Sequence, residues 1–364
     1  MKTSKNKFPV TALILTFVGV LFIGIVIVAG VLFFNAKTLM VPSVEFPEIQ
    51  DAVDAAVEGD IILVKAKENG DPYMENVDIN TDNIKLIGVG KEKPVLDGIG
   101  LSGTGITIGS TSGVLVKNFI VQNFDVGIFL DDSTSNMIKG NNVNKNVFLG
   151  ISLKDSDGNM IKGNNLNKNN QLQAILLDDS DGNMIKGNIV NENFGDGIFL
   201  NNSSSNMIKR NNVIGNGLDG ISLETSDNNM LKGNKVIGNE ERGIFLFDDS
   251  NKNMIKGNIA TWNVAEGIHL RDGSANNTIK GNKANDNGEV GIALVNLDSN
   301  LIKGNTANNN GNVGIGLNST STGNDVFFNR AFLNDNLDIV DEDANNFKGN
   351  KCGTSLGANV DCGN

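Results

Sequence analysis

Histidine, tryptophan and tyrosine are nearly absent: one of each occurs in 364 residues, with two cysteines. A zinc or copper centre of the usual kind needs several histidine or cysteine ligands close together, which a lone His269 cannot supply. Basic residues are also in deficit, 30 against 42 acidic ones, for a net charge of -12. Nucleic-acid binding is therefore disfavoured, because proteins that contact phosphates normally present a basic surface.

What the chain has in abundance is a repeat. Between Gly127 and Asp338 the pattern G-I-x-L, then N-x-I-K-G-N, then x-x-x-x-N recurs at steps of 23 or 24 residues. The residue added in a longer step falls in a turn, the first time between Asn169 and Ala174. A strict step of this size indicates a solenoid of stacked coils, with constant strands and turns of variable length.

Three columns of asparagine run through the repeat without a gap. The first runs from Asn136 to Asn324, the second from Asn141 to Asn329 and the third from Asn146 to Asn334. Asparagine tolerates the left-handed backbone of a sharp corner, and its amide both donates and accepts hydrogen bonds. We expect each coil to have three corners at which an asparagine takes this conformation and forms a hydrogen bond with the asparagine of the next coil. A fourth turn in each coil is expected to vary in sequence and length.

Between the corners apolar residues alternate with polar ones, as at Met137, Ile138 and Lys139. A period of two indicates strands, here three short ones per coil, which bury their inner faces only when coils stack. The sequence predicts an all-β fold, a right-handed parallel β-helix. An α-solenoid is disfavoured because asparagine and glycine are poor helix formers. The spacing of Ile49, Ala52 and Val53 predicts a capping helix from Glu48 to Glu58.

The N-terminal region contains 25 consecutive uncharged residues, Val10 to Phe34, after Lys2, Lys5 and Lys7. This run is long enough to span a bilayer, and the lysines favour a cytoplasmic N-terminus. A cleaved signal peptide is the alternative. The predicted segments are a cytoplasmic tail (1–8), a transmembrane signal-anchor (9–34), a linker (35–43), the β-helix with its cap (44–350) and a cysteine-containing tail (351–364).

Cys352 and Cys362 lie ten residues apart near the C-terminus. With the β-helix outside the membrane they would stand in an oxidising compartment. A disulfide is therefore expected, and it would staple the open end of the helix.

The cap carries a family resemblance. Phe46 to Val64 reads F-P-E-I-Q-D-A-V-D-A-A-V-E-G-D-I-I-L-V, followed by Y-M-E-N-V-D-I and I-K-L-I-G-V-G-K. With the repeats, these segments resemble the pectin-lyase-like right-handed β-helix superfamily, in particular NosD-like and carbohydrate-binding repeat proteins. The predicted membrane anchor places this β-helix at the cell membrane with a structural or carbohydrate-binding role, and the resemblance implies a polysaccharide or cell-surface glycan as its partner. It leaves two alternatives, a polysaccharide lyase, hydrolase or epimerase, and a NosD-like accessory protein.

The accessory role would involve a metal. We expect copper to find little to bind on the repeat, since neither histidine nor methionine is expected to cluster there.

Two places interrupt the repeat, the insertion after Asn169 and the sequence G-I-H-L-R-D around His269. His269 takes an outward strand position, where it is a candidate general base beside Arg271 and Asp272. The same position holds unrelated residues in other coils, which favours plain surface.

Two further sets of candidates lie on outward positions and turns. The aromatic residues at the outward position are candidates for a ligand face: Phe129, Phe199 and Phe245. Acidic residues in successive turns are candidates for a calcium site, with a solvated turn as the alternative: Asp131, Asp132, Asp155, Asp178 and Asp179. Stacked carboxylates supply the oxygen ligands that calcium prefers.

Overall fold

The computed structural model describes residues 36–357 and 360–363. The predicted cytoplasmic tail and transmembrane signal-anchor lie outside these residues. In the described part of the chain no helix is long and apolar enough to cross a membrane.

The described chain is a right-handed parallel β-solenoid of about 14 turns, which confirms the predicted fold class. Three parallel sheets run along it, and each strand pairs with its counterpart one coil away. Sheet A has 14 strands: Thr38–Val41, Ile61–Lys65, Lys85–Val89, Leu115–Lys117, Met137–Lys139, Met160–Lys162, Met184–Lys186, Met207–Lys209, Met230–Lys232, Met254–Lys256, Thr278–Lys280, Leu301–Lys303, Asp325–Phe327 and Asn346–Lys348.

Sheets B and C complete each coil. Sheet B has 8 strands: Val95–Asp97, Ile120–Gln122, Asn142–Asn144, Asn165–Asn167, Ile189–Asn191, Asn212–Ile214, Lys235–Ile237 and Ile259–Thr261. Sheet C has 13 strands: Val77–Ile79, Thr104–Gly109, Val126–Asp131, Leu149–Lys154, Ile175–Asp178, Ile198–Asn201, Ile221–Glu224, Ile244–Phe247, Ile268–Arg271, Ile292–Val295, Val313–Leu317, Leu337–Asp341 and Ser355–Leu356. Arg330–Ala331 pairs separately with Lys351–Cys352.

The core is a set of aliphatic stacks inside the coils. Ile138, Ile161 and Ile185 stack in register in sheet A and are fully buried. Each inner face is too small to be stable alone, so burial depends on the next coil, as the alternating pattern predicted.

The asparagine columns form buried hydrogen-bonded ladders. The Oδ1 atom of Asn188 accepts from the backbone N–H of Asn164 at 2.8 Å and from its Nδ2 at 3.1 Å. The predicted amide-to-amide bonds are thus confirmed in the second column and recur in the third. In the first column the amide donates mostly to a backbone carbonyl, as from Asn159 to Ser133 at 2.9 Å.

The prediction that the ladder asparagines themselves take the left-handed backbone conformation was wrong by one residue. The positive φ belongs to the residue before each ladder asparagine, for example Gly163 (63°) before Asn164 and Arg210 (54°) before Asn211. The chain bends there into the next sheet, and the asparagine that follows can turn its amide inward.

A serine ladder lies in the turn that was predicted to be variable. The hydroxyl oxygen of Ser203 accepts from the N–H of Ser180 at 2.9 Å, and the hydroxyl donates to the carbonyl of Asn201 at 2.7 Å. Both serines are fully buried. In the fourth turn the exposed residues therefore vary from coil to coil, whereas the buried position is a serine in most coils and a leucine at Leu297.

Both ends of the solenoid differ from the prediction. The helix, α1, covers Ile49–Ala55 and ends before the expected Glu58. Thr38–Val41 lies in the predicted linker yet pairs with Ile61–Lys65, so the solenoid begins at Thr38. In the predicted tail, Lys351–Cys352 and Ser355–Leu356 are strands, and Cys352 forms the expected disulfide with Cys362 (Cα–Cα 5.3 Å).

Candidate functional site

A group of charged and aromatic side chains interrupts the outer face of sheet C. We call this group the sheet C cluster: Asp196, Asp219, Arg242, Phe245, Glu266, His269 and Arg271. The register of sheet C brings it together, because Phe245 pairs with His269 in the next coil. Residues a coil apart in space are 23 or 24 apart in sequence.

Two stacked carboxylates form one end of the cluster. Asp196 accepts from the N–H of Asp219 at 2.9 Å, and Asp219 accepts from the N–H of Arg242 at 2.8 Å. The hydroxyl of Ser222 also donates to Asp196 at 2.9 Å. Burial raises the pKa of Asp196, and burial together with the neighbouring Asp196 raises the pKa of Asp219 to about 7. The two carboxyls add coil-to-coil bonds of their own, in the opposite direction to the asparagine ladder beside them, where the N–H of Asn193 donates to Oδ1 of Asn216 in the next coil.

The raised pKa of Asp219 predicts a stability that falls with rising pH. Its contribution is complete below the unfolded pKa of 3.8 and is lost as the pH rises through about 7. Asp219→Asn keeps an acceptor for the N–H of Arg242 and removes the titration. We expect the variant to be more stable than the wild type by about 1 to 2 kcal/mol at pH 8 but not at pH 4.5.

Urea unfolding at a series of pH values measures this difference. Asp335→Asn, at an exposed aspartate, is the control and should show no pH-dependent gain. If the free energy of unfolding of Asp219→Asn differed from that of the wild type by the same amount at every pH, the raised pKa of Asp219 would be contradicted.

Arg242 connects neighbouring coils of the cluster. Its Nη1 lies 3.5 Å from Asp219 Oδ2, and its Nε lies 3.4 Å from Glu266 Oε2. The guanidinium also covers the Phe245 ring, 4.2 Å from the ring centroid. One arginine thus pairs with carboxylates on both sides and shields an aromatic ring.

The predicted catalytic residues are adjacent, but the imidazole is enclosed. His269 is 8% exposed, its Nδ1 lies 3.3 Å from Glu266 Oε1, and neither ring nitrogen has hydrogen-bond geometry to a partner. Burial alone would raise the pKa of Glu266, but His269, then the backbone N–H of Glu266 itself and then Arg242 outweigh it and hold that pKa below its usual range. Arg271 and Asp272 form a more exposed ion pair at 2.9 Å. The arrangement favours a packed cluster over an open catalytic cleft.

The predicted ligand face is not continuous. Phe245 is 4% exposed, because Arg242 and Arg271 lie over its ring, so it lacks the exposure expected of a residue on a ligand face. Phe129 and Phe199 are half-buried and stay predictions.

The acidic candidates for calcium lie at the ends of sheet C strands, as Asp131 and Asp178 do, or in the turns that follow them. Asp132, Asp155 and Asp179 take left-handed backbone angles of 47° to 49°, which gives a backbone reason for an aspartate there. Asp178 accepts from Asn201 Nδ2 at 2.6 Å, and Asp131 pairs in register with Lys154. Among the described residues no three His, Cys, Asp or Glu side chains are grouped to hold a metal ion. Calcium between coils stays a prediction.

The sequence missed an open depression at the third corner, beside the insertion after Asn169. We call it the third-corner notch; it has a volume of about 560 Å³. Its lining includes apolar and polar side chains: Lys168, Asn170, Glu192, Phe194, Leu218 and Glu240. Gly215, with φ of 63°, stands where the two preceding coils have Lys168 and Glu192, and its missing side chain leaves space. The insertion after Asn169 was the feature of the sequence that could have indicated the notch.

The notch belongs to an exposed apolar row along the same corner. The row has one apolar side chain from each of several coils: Phe148 (39% exposed), Leu172 (45%), Phe194 (66%), Leu218 (41%) and Val264 (60%). Backbone bonds connect the coils, as from the N–H of Leu172 to the carbonyl of Phe148 at 3.1 Å. Contiguous exposed apolar surface of this kind marks a binding site more often than single residues do.

Methionines form a second row, on the outer face of sheet A. The row contains six side chains that pair in register: Met137, Met160, Met184, Met207, Met230 and Met254. The expectation that methionine does not cluster on the repeat was therefore wrong. The spacing was visible in the sequence, and the parallel register turns it into contact between neighbours.

The fold and the repeat define a NosD-like right-handed β-helix protein with pectin-lyase-like architecture. A family model described as "Periplasmic copper-binding protein (NosD)" matches residues 53–253 and 210–361. The chain belongs to the NosD family, which confirms the resemblance drawn from its sequence. None of the curated proteins matches the chain significantly.

Solved structures with the same fold include a phage tailspike and alginate-modifying enzymes. The Dettilon tailspike protein (gp208) has 17% identity and a TM-score of 0.64, over 88% of this chain and 68% of its own. The A-module of the Azotobacter vinelandii mannuronan C-5 epimerase AlgE6 has 14% identity and a TM-score of 0.58, over 84% and 93%. The periplasmic alginate epimerase AlgG has 16% identity and a TM-score of 0.50, over 85% and 82%. These likenesses show the fold alone.

Proposed function

We propose that this protein is a membrane-anchored, extracytoplasmic β-helix that binds a polysaccharide at the third-corner notch. One observation carries the proposal: the Phe194 ring, 66% exposed, stands beside a depression of about 560 Å³ on an otherwise regular solenoid. An exposed ring offers its face to a sugar, and neighbouring polar groups fix the sugar's orientation.

The polar groups around Phe194 suit sugar hydroxyls. Lys168 and Glu192 are 3.5 Å apart with side chains 63% and 66% exposed, so their ion pair is weak and both groups are free to bond a ligand. Asn170 adds an amide and Glu240 a second carboxylate. With two carboxylates and one ammonium, the notch favours a neutral glycan over a polyanionic one.

The apolar row gives the site its length. Four of its five side chains, from Phe148 to Leu218, come from successive coils about 4.8 Å apart along the solenoid axis. The next coil carries Glu240 and Glu241 at this corner, before Val264. An extended glycan chain lying on the row would contact Leu172, Phe194 and Leu218 in turn. This shape supports a polymer as the ligand.

The location rests on the N-terminal segment and on relatives. We propose that residues 9–34 anchor the chain in the membrane, with the N-terminus inside and the β-helix outside. The family description places NosD proteins in the periplasm, and the epimerase AlgG named above is likewise described as periplasmic. The closed disulfide between Cys352 and Cys362 supports an oxidising compartment.

Glycan binding by the full chain in detergent micelles tests the proposal. An array of neutral and acidic polysaccharides identifies a ligand, and calorimetry then measures its affinity. We expect Phe194→Ala to weaken binding at least about tenfold, by loss of stacking. The control is Leu333→Ala, which removes an 80% exposed side chain further along the same corner and should bind like the wild type.

The enzyme alternative is distinguished in the same samples. Incubation with uronans, with and without calcium, would yield new reducing ends or an unsaturated product if the protein cleaves them. If no glycan binds, or if Phe194→Ala and Leu333→Ala lose the same affinity, the notch is not the binding site. Product formation abolished by His269→Gln would instead assign the function to the sheet C cluster.

A further inference from the structure

Sheet A carries a column of lysines beside the methionine row. A lysine follows each row methionine by two residues, and both side chains lie on the outer face because strand residues alternate. The lysines pair in register along nine consecutive strands: Lys117, Lys139, Lys162, Lys186, Lys209, Lys232, Lys256, Lys280 and Lys303. We call this set the lysine column. At about 4.8 Å per coil it is about 40 Å long.

The lysine column has no acidic partner on its own face. The sheet A strands between Leu115 and Lys303 contain no aspartate or glutamate. Exposed carboxylates flank one edge, as at Asp157 and Asp181 in the turn before the methionines, but within the described parts of the chain none forms an ion pair with the column. A protein of net charge -12 thus presents one strip of positive charge. Such a strip suits an anionic partner.

Apolar side chains form the other half of this face. Five of the six row methionines are partly exposed, and Met254 is exposed at 37%. Leu115 continues the row at one end, and Leu301 follows Thr278 at the other. Lysine side chains cover apolar surface with their stems and keep the ammonium group in water. A soluble polyanion would use the charges alone, whereas the interface of an anionic bilayer accepts both apolar and cationic side chains.

The predicted anchor joins the chain at this sheet. Three residues, 35–37, separate the predicted membrane segment from Thr38–Val41, the first strand of sheet A. Three extended residues span at most about 10 Å. With residues 9–34 in a bilayer, as proposed above, sheet A begins close to lipid. Attraction to lipid charge acts at such short range, because it is screened beyond a Debye length.

We infer that the outer face of sheet A binds the surface of an anionic bilayer, with the lysine column at the lipid phosphates and the methionine row in the interface. The inference rests on the proposed function only for the anchor that brings the chain to lipid. The third corner joins sheet B to sheet C, so it lies across the coil from sheet A. Binding through sheet A would therefore turn the third-corner notch away from the membrane.

Methionine methyl groups report this contact without a label on the protein. The full chain, with ¹³C-methyl methionine, is placed in nanodiscs of phosphatidylcholine alone or of phosphatidylcholine and phosphatidylglycerol in equal parts. Each disc contains a trace of lipid with a gadolinium-chelate headgroup. We expect the row resonances to broaden in the anionic discs at low salt, and to sharpen in neutral discs or with added salt. The exposed Met74, outside sheet A, should stay sharp throughout.

Charge variants locate the contact. Lys162→Gln, Lys186→Gln and Lys209→Gln together neutralise the centre of the column, so the broadening should fall at least about threefold. The matched control removes three exposed lysines outside sheet A and should behave like the wild type: Lys145→Gln, Lys154→Gln and Lys351→Gln. Circular dichroism confirms that both variants keep the fold.

Three results would overturn the inference. The first is a set of row resonances that stay sharp in the anionic discs, and the second is equal broadening in the triple variant and the wild type. The third is a shift of the row resonances caused only by a soluble polyuronate, because the face would then bind an acidic polymer. Failure of the anchor is a separate result: the chain would leave the neutral discs, while the anionic discs still decide this inference.

Discussion

Asn211→Ala is expected to lower the free energy of unfolding by about 3 to 5 kcal/mol. Its Oδ1 accepts from the N–H and Nδ2 of Asn188 at 2.9 and 3.1 Å. Its Nδ2 donates to the carbonyl of Ile185 at 3.0 Å and to Asn234 at 3.1 Å. Alanine leaves these buried groups without partners and opens a cavity between coils.

The adjacent residue supplies a matched control. Asn212 points outward from sheet B and is partly exposed, so Asn212→Ala should cost less than about 0.5 kcal/mol. Urea unfolding followed by circular dichroism compares the two, with attention to separate transitions, since solenoid coils can unfold in parts. A cost below about 1 kcal/mol for Asn211→Ala would show that the ladder is not a main source of stability.

Gly267→Ala is expected to lower the free energy of unfolding by about 2 to 4 kcal/mol, because Gly267, just before a sheet C strand, packs directly against the third asparagine ladder. An added Cβ would lie 2.6 Å from Asn287 Nδ2, 2.7 Å from the carbonyl oxygen of Gly291 and 3.0 Å from the Cβ of Ala284. The first two atoms belong to a buried ladder and to the neighbouring backbone, so neither moves without breaking bonds between coils.

Gly281→Ala separates this clash from the loss of a glycine as such. A Cβ at Gly281 meets no atom within 4 Å, but its φ is 63°, so we expect only the left-handed penalty of about 1 kcal/mol. Thermal unfolding of both variants measures the difference. Equal destabilisation would mean that the close approach at Gly267 relaxes without cost.

The fold was predictable because its determinants are local and repeated. Each coil carries the same alternation and the same three asparagines, and one register satisfies all of them together. The position of the left-handed residues was not predictable from asparagine propensity. The inward ladder bonds require the preceding residue, such as Arg210, to take that conformation.

The sites were harder to predict because they depend on residues about one coil apart. The sequence singled out His269 and Phe245 as outward and available. The structure covers Phe245 with Arg242 and Arg271, and sets Glu266 beside His269. The insertion after Asn169 was noticed as a break, but the opening at Gly215 depends on side chains from four coils.

The sequence alone determined a parallel β-helix, its asparagine corners and its terminal disulfide, because these follow from period, alternation and short-range pairing. The tertiary structure decided which outward residues are exposed, and it placed the notch, the enclosed histidine and the methionine row. The physical reason is the parallel stack: residues a full repeat apart in sequence become neighbours about 4.8 Å apart, so burial and side-chain contacts are set between coils.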